Sequence, residues 1–420
     1  MSLSGVAYGS SALGDYNNDG LIDILLTGSF TAKVYQNTGD AFSEDTDITL
    51  PGIMYATSVF FDYDNDGDLD ILITGDTLSN YIAKVYRNTD GNFSEDTGIT
   101  LIGVKDGSST FGDYDNDGDL DILITGNSES GHIARLYRNT DGNFSEDTDV
   151  DLTGVNYSSS AFGDYDNDGD IDILITGESE GVKIARLYKN YIDISNLPPS
   201  EPTALNTVVT GQNVLLSWSA ASDAETISSA GLNYNLRIGS TSGASDILAP
   251  MALPLSSGYR LIPERGMIQN LTATVNLPDG TYYWSVQAID TAFAGSEFAT
   301  EASFAIGSPE ISIISNQSIS EDTSIDSISF MITDTNASPC SLTITFDSSN
   351  TVLIPTENIS YTCNSGYYTL TVNPELNQSG TSILTVMAMN PYGNTATSSF
   401  SLTVTEVNDA PQISSISDQS

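Results

Sequence analysis

Short apolar runs, broken by glycine and polar turn residues, recur along the chain, and none keeps a helical period over comparable length. The run Asp-Ile-Leu-x-Thr-Gly occurs four times, at 23–28, 70–75, 121–126 and 172–177, and reads as a buried strand ended by glycine. In the third copy it is preceded by SSTFGDY and followed by HIARLYRN and NFSEDT. The last two are joined through Thr140-Asp141-Gly142, a hairpin signal. Further on, NVLLSW at 213–218 and GTYYWSVQAID at 280–290 alternate. Their period places Tyr282, Trp284, Val286 and Ala288 on one face, with Trp218 packing near them. From about Ser308 the runs SLTITF, YYTLTV, SILTVMAM and SFSLTV continue the pattern. An all-β chain is predicted.

The first part is repetitive. Asp15, Asp62, Asp113 and Asp164 open equivalent segments roughly 50 residues apart, a period of propellers or arrays, and four antiparallel strands per unit is the size of one propeller blade. The segments are GDYNNDGLIDILLTG, FDYDNDGDLDILITG, GDYDNDGDLDILITG and GDYDNDGDIDILITG. Counted from the first acid, oxygen-bearing side chains stand at positions 1, 3, 5 and 9. These are Asp15, Asn17, Asp19 and Asp23; then Asp62, Asp64, Asp66 and Asp70; then Asp113, Asp115, Asp117 and Asp121; and finally Asp164, Asp166, Asp168 and Asp172. Position 6 is glycine, which permits the sharp turn, and the carbonyl of position 7 (Leu21, Asp68, Asp119, Asp170) is expected to point to the same centre. Such a set suits a hard cation that takes six to eight oxygens, so about four calcium ions are expected. Repulsion among unneutralised carboxylates argues the same way. Position 12 is apolar (Leu26, Ile73, Ile124, Ile175), which excludes the closing glutamate of an EF-hand. The first loop, with Asn17 and Leu21, is expected to be the weakest site.

With the four acidic loops, the DILxTG strand and the LYRN strand at Leu136–Asn139, the units resemble FG-GAP repeats of the VCBS or integrin α-chain type. That resemblance implies a β-propeller with calcium in the loop between the first two strands of each blade, over residues 1–196. Four blades are present where such propellers have about seven. An open arc leaves edge strands exposed, so further blades N-terminal to these are expected. The chain opens inside a repeat, since SLSGVAYGSSALGDYNNDG parallels DLTGVNYSSSAFGDYDNDG, and ends on APQISSISDQS, which parallels SPEISIISNQS. A longer parent protein is therefore expected. The fourth repeat lacks the segment equivalent to TDGNFSEDT, consistent with a blade completed by an outer strand from elsewhere.

The proline-rich NLPPSEPTAL at 196–205 reads as a semi-rigid linker. Residues 197–307 resemble a fibronectin type III domain, on the tyrosine-corner pattern Leu277-Pro-Asp-Gly-Thr-Tyr282. Residues 308–408 resemble the Ig-like or cadherin-like repeats of bacterial surface proteins, and 409–420 the start of another. The partial propeller is thus expected to be followed by two β-sandwich modules. The EVNDAP junction is similar to a cadherin calcium linker, but the full acidic set is not evident around Asn408 and Asp409. Cys340 and Cys363 either form a disulfide closing about 24 residues, stabilising by ~3 kcal/mol in the loop-entropy model, or remain two buried thiols. Their confinement to one β-module favours the disulfide and an oxidising compartment.

A formal net charge of -44, with no Lys or Arg after Arg265, repels phosphate backbones and anionic lipid, so neither nucleic acid nor membrane insertion is an expected partner. No apolar stretch reaches the length of a membrane span, and the start MSLSGVAYGSS lacks the basic and apolar regions of a signal peptide. His132 is the only histidine and reads as a surface loop residue; no GxSxG serine, Cys/His cluster or phosphate loop accompanies it, so no enzyme is predicted. The expected function is a calcium-binding extracellular adhesion or scaffold segment of a secreted or cell-surface protein, of the bacterial kind. Its propeller loops present a surface to a protein or glycan ligand. The alternative is the non-catalytic accessory region of a secreted carbohydrate-active enzyme. Ligand specificity is assigned to variable segments such as Asn127–His132, and the oligomeric state is left open.

Overall fold

The computed structural model describes residues 3–166, 168–192, 195–253, 260, 262–335 and 337–408. Among these the chain is built of strands, with only two short 3-10 turns. The segment 409–420 and Asp409 of the EVNDAP junction lie outside the described residues. The chain divides into two compact units. The first comprises 1–206, 216–274 and 283–303, and the second 207–215, 275–282 and 304–420.

Four antiparallel meanders open the first unit. They are β1 (Ser10–Gly14), β2 (Asp23–Gly28), β3 (Thr31–Asn37) and β4 (Phe42–Glu44); β5 (Met54–Phe61), β6 (Asp70–Asp76), β7 (Tyr81–Thr89) and β8 (Asn92–Glu95); β9 (Lys105–Gly112), β10 (Asp121–Ser128), β11 (Gly131–Thr140) and β12 (Asn143–Glu146); and β13 (Asn156–Gly163), β14 (Asp172–Ser179) and β15 (Val182–Tyr188). Strand order follows chain order in every sheet, as short hairpins dictate. The DILxTG run forms the second strand each time, and in the two middle sheets it is buried on both faces. That burial explains why the run reads as continuous rather than alternating.

Both faces are covered because successive sheets share cores. Tyr16, Leu25 and Val34 of the first sheet pack with Phe60, Ile71 and Ile73 of the second. Tyr63, Leu72 and Val85 of the second pack with Leu120, Ile122 and Ile124 of the third. Tyr114, Leu123 and Leu136 of the third pack with Phe162, Ile173 and Ile175 of the fourth. Full burial of each such side chain contributes roughly 1.5–3 kcal/mol, so the repeats stabilise one another chiefly through these junctions.

Next come β16 (Thr203–Thr210), β17 (Asn213–Ser219), β18 (Asn233–Gly239), β19 (Thr272–Asn276), β20 (Gly280–Ile289) and β21 (Ala302–Ile306), in sheets of order β16-β17-β19 and β18-β20-β21. Trp218 and Trp284 meet with ring centroids 6.3 Å apart, as the alternation predicts. The Tyr282 hydroxyl donates to the Pro278 carbonyl at 2.9 Å.

The second unit contains β22 (Glu310–Ile311), β23 (Gln317–Ser320), β24 (Ile325–Thr333), β25 (Thr343–Ser348), β26 (Ile359–Asn364), β27 (Tyr367–Val372), β28 (Gly380–Met389) and β29 (Thr395–Thr405). They form sheets of order β22-β24-β27-β26 and β23-β29-β28-β25. One core, including Phe330, Tyr368 and Leu370 of the first sheet and Val386, Phe400 and Leu402 of the second, joins them. Cys340 and Cys363 form a disulfide, with Cα atoms 5.7 Å apart.

Candidate metal centres

Each acidic loop connects the first and second strands of its sheet, and its own side chains fold it. The position-1 carboxylate accepts two backbone amides: Asp62 receives Asp66 N at 3.1 Å and Gly67 N at 3.1 Å. Asp15, Asp113 and Asp164 repeat this pattern. The turn requires left-handed backbone at positions 4 and 6, with φ 54° at Asn65 and 93° at Gly67. Position 9 ties the loop to the sheet. Asp121 accepts Tyr114 N at 3.0 Å on one oxygen and Asn139 N at 2.7 Å on the other.

These turns bring acids together. Oxygens of Asp62, Asp64 and Asp66 lie within 4.8 Å of one another, as do those of Asp113, Asp115 and Asp121 and those of Asp164, Asp166 and Asp172. Asp70, Asp117 and Asp168 stand outside these groups. In the first loop Asp15, Asp19 and Asp23 form no such group. There Asn17 at position 3 donates to the Asp19 carboxylate at 3.1 Å.

The position-7 side chains face elsewhere. Asp68, Asp119 and Asp170 accept from the amides of Asn18 (2.7 Å), Asn65 (2.8 Å) and Asn116 (3.1 Å) in the preceding repeat. Asp68 and Asp119 also accept backbone amides from the hairpin turns, Asp90 N at 2.8 Å and Asp141 N at 2.7 Å. Leu21 has no side-chain oxygen to offer.

The electrostatics are those of crowded, dehydrated acids. Burial first, then neighbouring carboxylates, raise Asp64 and Asp117 to about 6. Asp62 rises to about 7, with burial opposed by the Arg265 guanidinium. Asp113 rises to about 7, with burial opposed by bonds from Thr291 and Gly118. Burial takes Asp70 to about 9 and holds Asp121 well above the usual carboxylate range. One oxygen each of Asp64 and Asp115 is buried without a hydrogen-bond partner. A bare buried carboxylate oxygen is costly unless a cation satisfies it, and all-oxygen donors of this density suit calcium. The residues present therefore fit a hard divalent ion at the second, third and fourth loops.

Several participants were not evident in the sequence. Arg87 pairs with Asp64 at 2.6 Å and Asp66 at 3.3 Å, Arg138 with Asp115 at 3.0 Å, and Lys189 with Asp166 and, at 2.8 Å, Asp168. All three occupy one position, immediately before the Asn of the third strand, where the first repeat has Gln36. The periodicity carried that signal. No pattern announced Thr291, whose hydroxyl donates to Asp113 at 2.8 Å, or the buried Arg265, 3.9 Å from Asp62. His132, expected in a loop, lies exposed in β11 opposite Asn127, because the hairpin turn is tighter than expected. The variable segment Asn127–His132 comprises the paired ends of β10 and β11 and the two-residue turn, Glu129 and Ser130, between them.

The family model of the FG-GAP-like repeat matches residues 15–73, 62–124 and 113–175. Residues 15–175 carry three tandem FG-GAP-like repeats. Each match runs from one acidic loop into the second strand of the next sheet, so it spans the shared core between sheets. No curated protein matches the sequence. Similar solved structures include Ig domains of titin. The titin M10–obscurin-like 1 Ig complex shows 13% identity and TM-score 0.19 over 24% of this chain and 99% of that one. The titin M3 domain shows 19% identity and TM-score 0.19, over 23% and 95%. Titin A168–A169 shows 13% identity and TM-score 0.20, over 49% and 96%. At such scores these likenesses carry no argument about this chain.

Proposed function

We propose that this chain is a calcium-binding adhesion or scaffold segment of an extracellular protein. The FG-GAP-like repeats would be blades of a β-propeller that presents its variable hairpins, such as Asn127–His132, to a protein or glycan. The observation that carries the reading is the convergence of buried and partly buried carboxylates, some with an unpaired oxygen, in the same loop of successive repeats. Asp62, Asp64 and Asp66, then Asp113, Asp115 and Asp121, then Asp164, Asp166 and Asp172 would hold one ion each. Asp15, Asn17, Asp19, Asp23 and the Leu21 carbonyl would supply a weaker fourth site, since the three acids of the first loop do not converge as those of the other loops do. Bound calcium would neutralise the crowded carboxylates and so favour the folded loops; at ~100 times its dissociation constant each ion adds ~2.7 kcal/mol.

The remaining modules read as a stalk: a fibronectin type III-like sandwich over 197–307, supported by the Tyr282–Pro278 bond, and an Ig-like or cadherin-like sandwich over 308–408, supported by two sheets sharing one core. The disulfide and the prevalence of FG-GAP-like repeats in extracellular proteins support secretion or surface display. Among the described residues no helix is long and apolar enough to cross a membrane. No catalytic role is assigned to the chain.

Calorimetric titration of the chelator-stripped chain with calcium tests the reading. About four sites and a large rise in melting temperature are expected. Absence of binding heat in protein shown to be folded by circular dichroism would reduce the loops to solvated turns. Exchange of Asn127–His132 for the equivalent segment of the second repeat should abolish binding to a ligand found on a glycan or protein array; unchanged binding would remove the hairpin from the ligand site.

A further inference from the structure

Residues within 216–274 and 283–303, which belong to the same compact unit as the repeats, reach the acidic loops of the first three repeats. The Asn270 amide donates to the Asn18 carbonyl at 3.1 Å, the Ser228 hydroxyl to the Asn65 carbonyl at 2.8 Å, and the Thr291 hydroxyl to the Asp113 carboxylate at 2.8 Å. All three donors are neutral. The group that faces Asp62 is not: it is the guanidinium of Arg265, whose Nη2 stands 3.9 Å from Oδ2.

Arg265 is held in place from both sides of its backbone. Gly266 N donates to the Asn233 side chain, and a Cβ at Gly266 would collide with the Tyr234 backbone. Tyr234 N in turn donates to the Ile268 carbonyl at 2.7 Å. The side chain is 8% exposed and meets fully buried acids, Asp62 and Asp70. None of its three nitrogens has a hydrogen-bond partner, because both oxygens of Asp62 are already taken by the amides of Asp66 and Gly67. Arg265 therefore acts on the loop through its charge. Burial lowers the guanidinium from its ordinary range and the two aspartates oppose that fall, so the charge is kept at neutral pH.

The third loop is a matched comparison. Residues 62–75 and 113–126 have the same sequence, and each loop carries one arginine from its third strand, Arg87 on Asp64 and Arg138 on Asp115. What differs is the group facing the first aspartate, a buried guanidinium at Asp62 and a hydroxyl at Asp113.

We infer that Arg265 is a built-in cation of the second loop and holds that loop's affinity for calcium below that of the third. The inference rests on the calcium reading above. A divalent ion on Asp62 meets a like charge in a dehydrated setting, where the repulsion is screened little. Arg87 is half-exposed and can turn into solvent; Arg265 cannot. The third loop thus fills before the second.

Calorimetric calcium titration of the full chain tests it, with Asp64→Asn and Asp115→Asn variants assigning the second and third loops. In the wild type the third loop should bind at least about tenfold more tightly than the second. Arg265→Met and Arg265→Gln, each verified as folded by circular dichroism, should remove most of that gap. Arg265→Lys, which keeps the charge, should preserve it. The wild-type comparison needs no variant at Arg265, so it decides even where the neutral variants do not fold. Equal affinities at the two loops in the wild type would overturn the inference, as would a neutral variant that leaves the second loop unchanged or weaker, or Arg265→Lys acting like Arg265→Met. Calcium at both loops with no gap removes this inference alone, whereas no calcium at any loop removes the calcium reading as well.

Discussion

The side-chain amide of Asn65 donates to Asp119 at 2.8 Å, joining the loop turn of one repeat to the loop of the next, and Asn18–Asp68 and Asn116–Asp170 repeat the relationship. The left-handed conformation that lets asparagine occupy position 4 also aims its amide across the junction. Asn65→Ala is expected to lower stability by about 1 kcal/mol, read as a fall in the denaturation midpoint at unchanged slope. Asn139→Ala removes a fully buried amide that serves both Tyr63 O and Leu120 O. It should cost more, about 2–3 kcal/mol. Equal effects would mean that burial does not set the worth of these links.

Arg87 shares Asp64 and Asp66 with any cation bound at the second loop. Arg87→Gln, which copies Gln36 of the first repeat, should tighten calcium at that loop by up to about fivefold, the scale of a half-exposed ion pair. Site-resolved titration, with the second loop identified by its loss in an Asp64→Asn background, checks the direction. A weaker site would show that the guanidinium organises the loop rather than competing for it.

With calcium chelated, stability should fall as pH rises. Asp62 and Asp113 are raised to about 7 in the fold against 3.8 unpaired, so between these values the folded chain holds more protons than the unfolded one. The unfolding free energy then decreases with pH across that window. Melting temperature measured from pH 5 to pH 8 in chelator should decline, and saturating calcium should flatten the decline. A rise with pH in chelator would contradict the assignment.

The Cys340–Cys363 disulfide closes a sequence separation of 23 residues. Its reduction should destabilise the second unit by ~3 kcal/mol in the loop-entropy model. Differential scanning calorimetry with and without reductant checks this, with Cys340→Ser/Cys363→Ser as the control for reductant effects.

The strands and acidic loops were legible because they are local: DILxTG is a buried run bounded by glycine, and the aspartates alternate within a nine-residue turn. The disulfide followed from two cysteines in one β-module. The junction links could be seen only as repetition. Asn at position 4 and the basic residue before the third-strand Asn recur, yet their partners lie about 50 and about 20 residues away, and spacing alone does not say which atoms meet. Arg265 and Thr291 gave no signal, since they reach Asp62 and Asp113 from a segment with a different pattern. The position-7 aspartates show the limit of single-loop reasoning: one loop suggests that only the carbonyl matters, and the neighbouring repeat gives the side chain a partner.

Because the Asn–Asp links run only between adjacent repeats, the loops are coupled as beads on a string. A cation that ordered one turn would also position the amide offered to the next carboxylate, so ordering at one loop would favour its neighbour. Leu21 marks where that relay has no acceptor.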